Sequence, residues 1–218
     1  MLFFKKNPKK NIEKTLKRLI KKGKENEVKK FLDFYEKENT LDAKFFWNVA
    51  SYKWDERISL EVRNFIKKEL SSLRGMNLSL GSGCYPYVKN SVLVDFSDEM
   101  LKKAEGCKKL KLDLNKGKLP FSENSFDSVT MVFVVDYLKN LDKLLIEVRR
   151  VLKDKGNLVI VNTKKPVDDF YRKQEIKHYN GEDLKRILKG FDAEIHEKRV
   201  KGMDLIFVNS VIRKPEKA

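Results

Sequence analysis

Apolar residues recur along this chain with two periods, and the order in which the periods follow one another predicts the fold. Ile12, Leu16, Leu19 and Ile20 stand at i, i+4, i+7 and i+8, the stripe of an amphipathic helix that Gly23 stops. Val28, Phe31, Leu32 and Tyr35 repeat the stripe, with Asn26 as a candidate cap. A third helix follows Ser59, carries Val62, Phe65, Ile66 and Leu70 on one face, and ends at Arg74-Gly75. From Met76 onward short apolar runs alternate with helical patterns. Strands are expected near 76–80, 92–95, 108–112, 127–134 and 157–162, and helices near 98–105, 139–152 and 181–189. Two successive strands, 192–200 and 204–213, close the chain around Lys201-Gly202. This alternation predicts an α/β, doubly wound, mostly parallel seven-stranded sheet with an antiparallel terminal hairpin, preceded by an N-terminal helical extension. The extension is expected over 1–40 and the sheet domain over 41–218.

Two of these runs carry chemistry. Asn77-Leu78-Ser79-Leu80 enters the turn Gly81-Ser82-Gly83, and Val92-Leu93-Val94 ends on Asp95. In an open α/β sheet such a pair forms a nucleotide pocket at the carboxyl ends of the strands. Glycines let the backbone approach a ligand that a Cβ would block, and the aspartate can accept from two ribose hydroxyls. A nicotinamide site would need a third glycine opening a helix that receives the pyrophosphate. That helix is missing here. Residues 84–91 are too few for a normal helix, and Pro86 limits one further, so a short turn is expected there.

Residues ~45–213, about three-quarters of the chain, resemble the class I, Rossmann-like S-adenosylmethionine (SAM)-dependent methyltransferases, especially their small type 11 members. Leu78 to Gly83 matches the family's first motif, and Val92 to Leu101 its second. Leu112-Asp113-Leu114 matches the third. Leu119-Pro120-Phe121 and Ser125 to Val129 lead into a fourth strand, and Glu147 to Gly156 matches the helix and turn before the fifth. The resemblance implies SAM as cofactor. Leu80, Gly81, Ser82 and Gly83 would hold its methionine part, and Asp95 its ribose. Phe96, Ser97 and Met100 would lie near the adenine, Asp113 would accept from the adenine amino group beside Leu114, and Phe133 completes the cofactor-binding candidates. Ser79 replaces the acid that usually precedes the first glycine by two positions.

On the acceptor side, Asp136 and Tyr137 follow the fourth strand, where relatives place polar residues facing the substrate. His178 follows the fifth. Asp136 and His178 are the catalytic candidates, as groups that remove a proton from the acceptor or orient it. His196 falls on a strand and reads as structural, Cys84 as packing, and no metal-ligand pattern is present. Trp47, Tyr52 and Trp54 read equally as a lid over the cofactor or a clasp for the N-terminal segment. The Asn/Asp-Pro-Pro-aromatic motif of amino-methylating nucleic-acid enzymes is missing after the fourth strand. That leaves a small molecule, a protein side chain or RNA through another geometry, of which a small-molecule acceptor is the first expectation. The alternative is a non-catalytic protein of the same fold that binds RNA or a protein partner through its N-terminal helices.

Charge sharpens that alternative. The net charge is +16, and residues 1–24 hold ten Lys/Arg against Glu13 alone. Such a cluster attracts phosphates of RNA, DNA or anionic lipid, or is simply a solvated face. No apolar run approaches the ~20 residues of a membrane span, and Leu2-Phe3-Phe4 is too short for a signal peptide. Cys84 and Cys107 form no disulfide or zinc pattern. A cytoplasmic protein is expected.

Overall fold

The computed structural model describes residues 8–38, 47, 57–105, 108–166, 176–188 and 191–214. The chain divides into two compact units, residues 1–59 and 60–218. The expected boundary at residue 40 lies outside the described residues, as do Tyr52 and Trp54.

In the first unit the two apolar stripes form helices α1 (Pro8–Lys21) and α2 (Glu25–Glu38). Gly23, at φ +64°, ends α1 in a Schellman turn: Lys24 N–H donates to the Leu19 carbonyl and Gly23 N–H to that of Ile20. Leu16 and Val28 are fully buried.

In the second unit α3 (Leu60–Glu69) precedes the sheet. The strands are β1 (Asn77–Leu80), β2 (Ser91–Asp95), β3 (Lys108–Lys111), β4 (Phe126–Val132), β5 (Leu152–Thr163), β6 (Asp192–Val200) and β7 (Met203–Val211). Helix α4 (Asp98–Lys103) lies between β2 and β3, α5 (Leu141–Val151) between β4 and β5, and α6 (Gly181–Ile187) before β6. The strand order is β3-β2-β1-β4-β5-β7-β6. Neighbours from β3 to β5 pair in parallel, and β7 is antiparallel to both β5 and β6. The seven-stranded, doubly wound expectation holds. The β6–β7 hairpin turns at Lys201 (φ +49°) and Gly202 (φ +79°), the two left-handed residues of a type I′ turn.

The two sheet faces differ. On one, Leu78, Leu80, Val129, Met131, Leu158 and Ile160 form a core with Leu144, Leu145 and Val148 of α5. Alternation along the strand turns Asn77 to the other face. There Asn77 Nδ2 donates to Ser91 Oγ (3.0 Å) and Thr130 Oγ1 (3.1 Å), and its Oδ1 accepts from Ser128 Oγ (2.9 Å). A buried amide is tolerated because these partners satisfy it. As the sequence predicts, residues 81–90 form no helix between β1 and β2. Tyr85 and Tyr87 pack edge to face at 5.0 Å. Arg63 of α3 lies 5.1 Å over the Tyr85 ring, and Tyr85 Oη donates to Asn64 at 3.4 Å. These contacts direct the pair toward α3.

Two departures from the periodicity have a visible backbone cause. β4 was expected to reach 134 but stops at Val132, because Phe133 adopts φ +55° and leaves the extended region. β5 starts at Leu152, five residues early. Leu152 pairs with Phe126, and a bulge with Lys155 at φ +57° carries the ladder on to Asn157. Gly156 is required there, since a Cβ would lie 2.9 Å from the Lys153 carbonyl oxygen.

One ion pair fastens the loop before β4 onto α5. Arg150 binds Glu147 (Nη2 to Oε2 2.8 Å) and the carbonyls of Leu119 and Phe121, while Glu147 Oε2 accepts from Leu119 N–H (2.9 Å). The Arg150 guanidinium holds the Glu147 carboxyl at about 2, below its ordinary 4.5. A lowered carboxyl contributes stability that is complete above its unfolded value and lost as pH falls toward its folded value. Wild-type protein should therefore lose stability more steeply than Glu147→Gln between pH about 4.5 and about 2. At neutral pH the variant should unfold about 1–2 kcal/mol more easily in urea. Equal slopes in acid would place the pair outside the stabilising contacts.

Candidate active site

The site is built where β1 and β4 lie side by side and the chain leaves them in opposite directions, the switch point of a doubly wound sheet. At the carboxyl end of β1, Gly81 takes φ +63° and Gly83 φ +56°. A Cβ on Gly81 would stand 2.1 Å from Val134 Cγ2, so the β1 exit and the β4 exit touch through a position that only glycine can fill. Ser82 N–H donates to the Val94 carbonyl at 3.0 Å, tying the turn to β2.

Asp95 is buried at the end of β2. Its Oδ2 accepts from Gly83 N–H and its Oδ1 from Ser97 N–H, both at 2.9 Å, and its carbonyl accepts from Leu112 N–H at 2.9 Å. One residue thus joins the exits of β1, β2 and β3. Burial pushes its carboxyl above the ordinary range, against the pull of the Ser97, Gly83 and Phe96 amides. A carboxylate offers about four acceptor positions, so these amides leave capacity for a hydroxyl donor.

The other cofactor candidates surround this knot. Leu80 is fully buried beneath the turn. Ser82 is buried, with its Oγ 3.3 Å from the Gly83 carbonyl. Phe96 is half-buried. Ser97 caps α4, accepting from Met100 N–H at 3.2 Å, and the Met100 side chain is buried. Asp113 is exposed after β3, where Oδ1 caps the turn Leu114–Lys116 through Asn115 N–H (3.0 Å). Its Oδ2 has no partner among the described residues. Leu114 belongs to the core. Phe133 is half-buried, and its left-handed backbone, unusual for an aromatic residue, is held by its N–H to the Val161 carbonyl (2.8 Å).

Asp136 and His178, 42 positions apart, meet. His178 Nδ1 lies 3.0 Å from Asp136 Oδ2. Asp136 Oδ1 accepts from Tyr179 N–H (2.9 Å) and from Asn162 Nδ2 (3.0 Å). The Asp136 side chain is 1% exposed and that of His178 14%. Hydrogen bonding to Asp136 raises the His178 pKa above its ordinary 6.5 despite desolvation, and the Lys164 backbone adds to the rise. Asn162 was not singled out in the sequence, although an amide in the apolar run Leu158 to Thr163 was the available signal. Asn115 was also missed: it joins the β3 and β4 exits, accepting from Lys139 N–H at 2.7 Å and donating to the Tyr137 carbonyl at 3.4 Å. His196 lies on β6, stacked on Phe207, apart from this group. Among the described residues no cluster of three or more His, Cys, Asp or Glu could hold a metal ion. None of the described helices is long and apolar enough to cross a membrane.

This geometry has known counterparts. A family model described as a methyltransferase domain matches residues 77–160. Over 189 residues the chain is 33% identical to an uncharacterized protein of Methanocaldococcus jannaschii, spanning 85% of this chain and 78% of that one. It is 37% identical over 86 residues to the demethylmenaquinone methyltransferase of Tropheryma whipplei, spanning only 36% of each. A SAM-dependent methyltransferase of Aquifex aeolicus superposes with a TM-score of 0.55 at 22% identity, over 76% of this chain and 98% of that one. The chain belongs to the SAM-dependent methyltransferases of class I fold. The cofactor of that family is SAM, and the cradle of Gly81 and Gly83 beside the spare acceptor positions of Asp95 fits it.

Gly81→Ala should displace Val134 and weaken SAM binding at least tenfold by calorimetry. Adding Val134→Ala should restore part of the loss, because the overlap goes while about 1–2 kcal/mol of left-handed strain stays. Unchanged affinity in the single variant would separate this turn from the cofactor.

Proposed function

We propose that this protein methylates a small-molecule acceptor, with Asp136 and His178 serving as the acceptor-side base pair. The observation that carries this reading is the buried Asp136–His178 pair at the exit of β4, the strand beside the glycine turn of β1. The similar demethylmenaquinone methyltransferase, whose name specifies a small acceptor, supports it.

Bound SAM supplies an electrophilic methyl group on a sulfonium. The backbone of Leu80 to Gly83 would hold its methionine part and exclude water. Asp95 would accept from the ribose hydroxyls, and Asp113 Oδ2 from the adenine amino group. Ser79 is buried and uncharged, so the cofactor amino group would rest on backbone carbonyls. On the acceptor side, Asn162 and the Tyr179 amide fix the Asp136 carboxylate. That carboxylate orients His178 Nδ1–H and stabilises the imidazolium. Neutral His178 would take the acceptor's proton at Nε2 as the acceptor atom forms its bond to carbon. Positioning supplies most of the remaining acceleration.

Titration with SAM and S-adenosylhomocysteine should show micromolar binding, and NAD none. Asp95→Ala should bind SAM more than tenfold more weakly, and an unchanged affinity would refute the assigned pocket. A panel of phenolic, quinol and amine acceptors with labelled SAM should reveal transfer. Since the base works unprotonated and its pKa is raised, kcat/KM should climb with pH to a midpoint above 6.5. Asp136→Asn should lower that midpoint, and His178→Gln should remove it with a loss of about 10²–10⁴-fold. A pH profile untouched by either change would assign the pair to structure alone.

A further inference from the structure

We propose that the exposed face of α1 is a binding surface for the phosphate backbone of nucleic acid. Lys14, Lys17, Arg18, Lys21 and Lys22 are all exposed. They occupy i, i+3, i+4, i+7 and i+8, so they form one cationic stripe along the helix. No acidic residue lies between Lys14 and Lys24. Beyond it, Glu27 pairs with Lys24 at 2.8 Å. With ~1.5 Å of rise per residue, the stripe runs for roughly 12 Å, the axial length over which a duplex presents about seven phosphate charges.

The opposite face of α1 decides between polyanions. An amphipathic helix that binds a lipid surface inserts its apolar stripe among the acyl chains. Here Leu16 is fully buried and Leu19 and Ile20 are half-buried within the protein. These three residues are therefore engaged in packing, while the five cations are exposed. That arrangement suits a hydrated polyphosphate chain. The surface reads charge and not base identity, so binding is sequence-tolerant and salt-dependent.

Filter binding of the full chain to a 20-nucleotide single-stranded RNA and to a 20-base-pair DNA duplex, across a salt series, tests this. A log–log salt slope of about −3 to −4 is expected if four or five phosphates are neutralised. Lys14→Gln/Arg18→Gln/Lys21→Gln should reduce that slope by about 2–3 and weaken binding at low salt at least tenfold. Lys14→Arg/Lys21→Arg should keep both. Unaltered circular dichroism and SAM affinity in the triple variant show that the fold is intact. Preference for one probe over the other assigns the source of the phosphates. Absence of binding to either, a slope unchanged in the triple variant, or binding only to phosphatidylglycerol vesicles overturns the proposal. These outcomes do not depend on which small molecule accepts the methyl group.

Discussion

The candidate site depends on the carboxylate of Asp95. The exits of parallel strands are independent loops unless something joins them. Here the Gly83 amide, the Ser97 amide and, through the Asp95 carbonyl, Leu112 all converge on one residue. The carboxylate is buried at some electrostatic expense, visible in its raised pKa. The Ser97, Gly83 and Phe96 amides offset that expense, and because they are fixed in the chain they also fix the oxygens. A side chain that merely closed a turn could be exposed at little penalty. One buried at the sheet edge, with acceptor capacity left over, is better explained by a polar ligand.

The missing crossover helix shows how such a site survives a shortened loop. In a doubly wound sheet the segment between two parallel strands usually returns as a helix that covers one face. Here 81–90 cannot, and the face that carries Asn77 holds a polar cluster. Asn77, Ser91, Ser128 and Thr130 satisfy one another within the sheet. Tyr85 and Tyr87 reach instead toward α3. A face that makes its own hydrogen bonds depends less on an apolar covering helix, so the glycine turn can pass to β2 in a few residues.

Period and order made the sheet legible from sequence, because buried parallel strands are short apolar runs and their helices carry 3.6-residue stripes. The glycine turn and Asp95 were legible because only certain residues fit a close backbone approach at a strand end. What was not legible arose from pairings distant in sequence. Nothing local in Phe133 announces a left-handed backbone; Val161 holds it there, and the strand stops two residues early. Leu152 looks like the end of a helix until Phe126 is placed beside it. Asp136 and His178 could be named singly from their positions after strands. Their pairing, and the part of Asn162 in it, required the fold.

That pairing also bears on how the acceptor side is organised. Asp136 receives three donors, one from the segment after β5, one from β5 itself and one from the His178 ring. A carboxylate so held cannot rotate to follow a proton, so movement of charge has to occur at the imidazole. The ring is only slightly exposed, and its contact with the Lys164 backbone favours the protonated form. Under the proposed reading, the ring becomes a base when an acceptor displaces that contact. Substrate entry and base activation would then be one event, a coupling that limits proton loss to the moment when an acceptor is in place.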